Sequence, residues 1–195
     1  MVFVVLEGFS GTGKTTLAKG LEKKGWLRLA ESAHAVPKHV PVADRADTFA
    51  DFSLLGATMV YSSAISKLRQ KKKIVSEGYL LSDLAYARIR YDLKKSDAFP
   101  AMLTMCKSIL SDPVMRPDLY ILLKARTETI GARQMKKNRR EQNMDDFFRT
   151  RYYSAIREIH ERIGEEKLVT VFTDLNSKAT LAAIIALLRK RKLIK

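Results

Sequence analysis

The chain is short of the residues that staple or punctuate a structure. It has one cysteine, Cys106, among 195 residues, so no internal disulfide can form and a reducing compartment is expected. Cys106 lies in the apolar run AMLTMCKSIL, where a thiol reads as a small buried hydrophobe rather than a reactive group. Glycine-rich and serine-rich linkers, low-complexity tracts and internal repeats are lacking, and the length suits one large domain. No apolar stretch approaches the roughly 20 residues that span a bilayer. The opening MVFVVLEG has neither a basic n-region nor a small-residue cleavage site. A cytoplasmic protein that leaves membranes alone is therefore the expectation.

Acidic residues are in deficit. Asp and Glu total 21 against 36 Lys and Arg, a net charge of +15, which attracts polyanions such as nucleic acid, anionic lipid or polyphosphate substrates. Two clusters carry much of it: Lys136, Lys137, Arg139 and Arg140, and residues 189–195. The second reads as a solvated basic surface. The chain shows no RNA-recognition or helix-turn-helix signature, so nucleic acid is the lesser expectation as a partner.

What is present is an alternation of short apolar runs with longer helical stretches. Residues 2–7 form a continuous apolar, β-branched run, the pattern of a buried parallel strand. Further strands are expected at 26–30, 73–77, 118–124 and 168–172. Helices are expected at 14–24, 45–72, 82–92, 100–110, 128–137, 145–163 and 177–191. Such alternation implies βαβ units: a five-stranded parallel sheet between two helical layers, an α/β/α sandwich. Ligands then bind where the strands end.

The turn after the first strand reads GFSGTGKT over residues 8–15, which satisfies G-x-x-x-x-G-K-[ST] with a strand before it and a helix after. Gly8, Phe9, Ser10, Gly11, Thr12, Gly13, Lys14, Thr15 and Thr16 make up this phosphate-binding loop. Its glycines let the backbone curl until the N–H groups face one anion. Lys14 brings a point charge to the β- and γ-phosphates of ATP, and the Thr15 hydroxyl can ligate Mg²⁺.

No N-K-x-D motif is present, which argues against a GTPase, and the fourth strand ends in Lys124 rather than an acid. Glu77 ends the third strand and reads as a residue that holds Mg²⁺ through water or orients the acceptor. Glu31 follows the second strand. It reads as a general base or hydrogen-bonding group for the acceptor, with a solvated loop glutamate as the alternative. Between residues 133 and 151 lie Arg133, Arg139 and five other cations. Phosphoryl transfer needs cations to clamp developing charge, so residues 134–148 read as a closing lid.

These residues resemble thymidylate kinase and, more broadly, the P-loop nucleoside monophosphate kinases. The opening VFVVLEGFSGTGKTTLAKGL resembles the family's start. EGYLLSDLAYA from Glu77 resembles its D-R-Y-x-x-S-x-x-A-Y-Q, and PDLYILLKARTETIGAR from Pro117 resembles its P-D-L-x-x-x-L-x-x-x-x-E-x-x-x-x-R. The resemblance implies an ATP- and Mg²⁺-dependent nucleotide kinase acting on thymidine monophosphate. Lys14, Arg133 and Arg139 would then act at the transferring group, Phe49, Tyr79 and Tyr86 would line the acceptor pocket, and Arg45, Arg88 or Arg90 would supply the acceptor's phosphate contact. It also implies a homodimer formed through the long helix. The chain departs from the pattern at Ser10 and Lys124, where the family has acids, at Gly78, where it has an arginine that grips the acceptor phosphate, and at Ala87, where it has a glutamine that reads the base. A nucleoside or another small molecule therefore stands beside the monophosphate as acceptor. A nucleic-acid-associated NTP-binding protein stands as the reading of another class.

Overall fold

The structure, a computed structural model, describes residues 1–37, 39–41, 46–135, 146–163 and 167–195. Five strands form one parallel sheet in the order β2-β3-β1-β4-β5. They are β1 (Phe3–Gly8), β2 (Leu27–Leu29), β3 (Ile74–Glu77), β4 (Leu119–Lys124) and β5 (Leu168–Phe172). The helices are α1 (Lys14–Glu22), α2 (Thr48–Leu68), α3 (Leu80–Asp92), α4 (Phe99–Ser111), α5 (Thr127–Met135), α6 (Asp146–Ile163) and α7 (Ser177–Lys190), with a 3₁₀ turn at Ser32–His34. The expected fold class is the one observed.

The central strand shows why the layers form. All six residues of β1 are buried. Val4 and Leu6 face one core with Leu17 and Leu21 of α1 and Ile184 and Leu188 of α7. Phe3 and Val5 face the other, with side chains from α2, α3, α4 and α6 such as Leu55, Leu84, Met102 and Ile156. Alternation with period two, apolar on both faces, requires a cover on each side. No helix among the described residues is long and apolar enough to cross a membrane.

Element ends follow local chemistry. The long helix starts at Thr48 rather than 45, because the Asp47 side chain accepts the Ala50 N–H at 2.8 Å and caps it. Asn176 caps α7 in the same way, through the Ala179 N–H at 2.8 Å. The third helix starts at Leu80, two residues earlier than the periodicity of 82–92 suggests. Because every strand points the same way, the segments after β1, β2, β3, β4 and β5 converge on one edge of the sheet.

A charge pair lies deep inside the fold. Arg90 of α3 donates to Asp51 of α2 through Nε (3.2 Å) and Nη2, and both side chains are 1% exposed. A buried charge left without its partner costs far more than the pair contributes. Asp51→Ala is predicted to destabilise the fold by about 3–5 kcal/mol in equilibrium urea unfolding. Adding Arg90→Met is predicted to recover part of that loss. A single variant within experimental error of wild type would contradict this.

Candidate active site

Gly8 ends β1 where there is no room for a side chain: a Cβ there would lie 2.7 Å from Thr12 Oγ1 and 2.8 Å from the Leu123 carbonyl oxygen. The loop that follows is tied to itself. Thr12 donates both its N–H (3.2 Å) and its hydroxyl (2.8 Å) to the Phe9 carbonyl. Gly13, at φ 98°, leads directly into α1 at Lys14. Neighbours brace the loop from outside. Thr173 Oγ1 donates to Thr12 O at 2.8 Å. The Arg133 guanidinium of α5 donates to Thr173 O (2.5 Å), Thr173 Oγ1 (3.2 Å), Gly11 O (3.4 Å) and Thr12 O (3.5 Å). Gln134 adds a bond to Ser10 O at 3.4 Å.

Lys14 Nζ donates to Gly8 O at 2.6 Å and lies 3.8 Å from Glu31 Oε1. Thr15 Oγ1 donates to Glu77 Oε2 at 2.5 Å. The structure thus brings together the loop, Lys14, Thr15, Glu31, Glu77 and Arg133. Thr15 and Glu77 together suit Mg²⁺, which takes one or two protein oxygens and fills its shell from phosphates and water. Thr16 is exposed on the first turn of α1.

Behind Glu31 lies a cluster of acids and hydroxyls that sequence reading did not single out. Glu7 is fully buried, its Oε2 accepts from Ser82 Oγ, and its Oε1 has no hydrogen-bond partner among the described residues. Ser82 Oγ also pairs with Tyr152 OH at 2.9 Å. Asp83 accepts from Thr58 Oγ1 (2.5 Å) and Ser32 Oγ (3.3 Å). Burial pushes Glu7 up to about 8 and Asp83 up to about 7, against partial relief from their hydroxyl donors. Tyr86 closes this side, stacked on Phe148 at 6.1 Å and tilted against Tyr152 at 5.0 Å, with the Arg90 guanidinium 5.8 Å away. Burial also raises the Tyr86 and Tyr152 phenols.

Three expected acceptor residues lie elsewhere. Arg88 sits about half a helical turn from the face that carries Ser82, Asp83 and Tyr86. It pairs instead with Asp92 (3.1 Å) and Glu158 (3.8 Å) and covers the Phe99 ring. Phe49 is 68% exposed, on the side of α2 opposite Asp51 and Thr58. Tyr79 is a core residue: its hydroxyl pairs with Ser62 Oγ at 2.7 Å, its ring meets Phe3 edge-on, and burial raises it to about 12. Arg45 and Arg139, and residues 136–145 of the expected lid, lie outside the described residues. Position 78 has φ +76°, a conformation that glycine adopts freely and an arginine would adopt only under strain. Lys124, at the end of β4, lies over the Tyr153 ring at 4.9 Å.

By sequence the chain matches no protein-family model and no curated protein. By structure it is similar to deoxyadenosine kinase from M. mycoides with products bound, at TM-score 0.67 and 19% identity over 97% of this chain and 99% of that one. It is similar to the same enzyme with dATP bound, at TM-score 0.69 and 18% identity over 95% and 98%. It is also similar to thymidylate kinase from Candida albicans, at TM-score 0.67 and 17% identity over 98% and 92%. The fold is that of the P-loop nucleoside and nucleotide kinases.

The raised carboxyls give a pH signature. In the fold Glu7 keeps its proton between 4.5 and about 8, and Asp83 between 3.8 and about 7, ranges in which the unfolded chain has released them. Their contribution to stability is therefore full below 3.8 and is lost progressively as pH rises from there to about 7 for Asp83 and from 4.5 to about 8 for Glu7. Glu7→Gln, which cannot ionise, is predicted to gain on wild type in thermal melting as pH rises through this window. A difference that does not change with pH would contradict a protonated Glu7.

Proposed function

We propose that this chain is an ATP- and Mg²⁺-dependent kinase whose acceptor is the hydroxyl of a nucleoside or a similar small molecule. One observation carries the choice of acceptor: Glu31 lies beside Lys14, within a group of acids. A hydroxyl must lose its proton as it attacks phosphorus, and a carboxylate at the γ-phosphate can take it. A monophosphate acceptor already presents an anionic oxygen, needs no base and wants a cation. Glu7, Asp83 and Glu31 gather on this side, and the Arg90 guanidinium that lies over Tyr86 is tied to Asp51. With Arg90 engaged by Asp51 and the two buried carboxyls offering hydrogen bonds rather than positive charge, these surroundings suit a neutral acceptor. The similarity to deoxyadenosine kinase points the same way, while the similarity to thymidylate kinase keeps monophosphates in the test panel.

In this reading the loop N–H groups and Lys14 bind the β- and γ-phosphates of ATP. Thr15 and Glu77 would hold Mg²⁺, which neutralises charge shared by those phosphates. The acceptor oxygen forms a bond to the γ-phosphorus, the bond from that phosphorus to the β,γ-bridging oxygen breaks, the acceptor proton passes to Glu31, and ADP leaves. Tyr86 bounds the acceptor, and Arg133 keeps the loop in shape.

Glu31→Gln is predicted to lower kcat by about 10²–10⁴-fold with nucleosides while leaving affinity for a fluorescent ATP analogue near wild type; Lys14→Ala is predicted to lose both. Full activity in Glu31→Gln would contradict the role of base. So would turnover with monophosphates alone.

We also propose a homodimer through α2. Phe49, Phe52, Met59 and Val60 stand exposed along one side of it around Gly56, where an added Cβ would meet nothing within 4 Å. Residues 52–66 carry no charge in a chain of net +15, so this face lacks the repulsion that separates two copies elsewhere. Light scattering is predicted to give twice the chain mass for wild type and one chain mass for Val60→Glu. A wild-type monomer at all concentrations would contradict this.

A further inference from the structure

The Glu77 carboxylate is held from two sides. Its side chain is 1% exposed. Oε2 takes the Thr15 hydroxyl, and Oε1 takes Nε of Arg28, on the neighbouring strand β2. Arg28 pairs in register with Val75 and so starts two residues short of Glu77, and its side chain runs along the sheet to reach the strand end. A buried carboxylate without a counter-charge costs several kcal/mol. The residue after Glu77, Gly78, has no side chain to offer, so the compensating cation comes from β2.

The manner of the contact matters. A guanidinium has five donors in a planar fork, and Arg28 engages Glu77 through Nε. Its two terminal nitrogens make no hydrogen bond among the described residues, and its side chain is 21% exposed. Arg28 thus stands one hydrogen bond from Glu77 and two from Thr15, at the N-terminus of α1, where polyphosphate is expected. A metal ion and this guanidinium are rivals for the same carboxylate.

We propose that Arg28 is the resident counter-cation of the metal site: it neutralises Glu77 in the absence of Mg²⁺, weakens Mg²⁺ binding by competing for that carboxylate, and gives its terminal nitrogens to the polyphosphate when nucleotide is present. Arg28 is in this sense a positioning residue for Glu77 and a direct ligand of the nucleotide. The inference rests on reading Gly8 to Thr16 as an ATP site.

The test is calorimetric titration of the full chain with ADP and with a non-hydrolysable ATP analogue, in EDTA and in Mg²⁺. It compares wild type, Arg28→Gln, Arg28→Lys and Lys14→Ala. The factor by which Mg²⁺ strengthens nucleotide binding is the coupling between the two ligands. Arg28→Gln is expected to bind metal-free nucleotide more weakly and to raise that factor about tenfold or more, since a lost cation leaves a more negative site. Arg28→Lys is expected to fall between. Thermal melting without nucleotide gives a separate readout. Arg28→Gln is expected to melt lower than wild type in EDTA and to be restored by Mg²⁺ alone. Arg28→Gln combined with Glu77→Gln, which removes both charges, is expected to recover stability in EDTA and to lose the response to Mg²⁺, and it serves if the single variant does not fold. A coupling factor and an Mg²⁺ melting response in Arg28→Gln equal to wild type would overturn the proposal while leaving the ATP site intact. Failure of wild type to bind either nucleotide, with or without Mg²⁺, would instead remove the ATP site itself and the proposal with it.

Discussion

Lys14 Nζ rests 2.6 Å from the Gly8 carbonyl and 3.8 Å from Glu31. This one ammonium ties the start of the loop to the segment that follows β2, two strands away in the sheet. Its position depends on a loop that can exist only because Gly8 has no side chain between Thr12 and Leu123. That in turn depends on β1 lying in the middle of the sheet, with β3 on one side and β4 on the other. Glu77 and Leu123 arrive from those two neighbours. The fold supplies the positions, and the polar residues at the strand ends decide what they do.

Those residues are unusually acidic for a chain of net +15. Glu7, Asp83 and Glu77 are all buried at the same edge, and each is handled differently. Glu77 is given a guanidinium, whereas Glu7 and Asp83 are given hydroxyl donors and driven toward their neutral forms. A neutral carboxyl donates as well as accepts and does not repel a nearby anion. The edge therefore divides into a cationic part around Lys14, next to the loop, and a hydroxyl-rich, largely uncharged part around Ser82 and Tyr152. An anionic donor and a neutral acceptor fit these two halves.

The strands and helices were legible because their apolar periods are clear, and the loop was legible because its glycines, lysine and threonine have few other uses together. The acceptor side was harder to read. Tyr79, just before α3, and Arg88, within it, both read as acceptor residues, but Tyr79 goes into the core and Arg88 to an outer face with Asp92 and Glu158. Arg28 gave no signal, because a single arginine in a three-residue strand looks like an exposed side chain until parallel pairing with β3 sets it beside Glu77. Glu7 was hidden in an apolar run, and its burial without a partner for Oε1 among the described residues marks it. Gly78 was visible as a departure from a family pattern. Its positive φ is one that glycine adopts without strain.

Phosphorus NMR of the product formed from ATP with a mixed panel of nucleosides and nucleoside monophosphates tests the account most directly, because it reads the bond that is made. A neutral hydroxyl acceptor gives one new phosphomonoester resonance alongside ADP, and this is the predicted result. Diphosphate resonances in excess of those of ADP, with no new phosphomonoester, would mean that the acceptor is a monophosphate, and would contradict the role assigned to Glu31 and the acids around it.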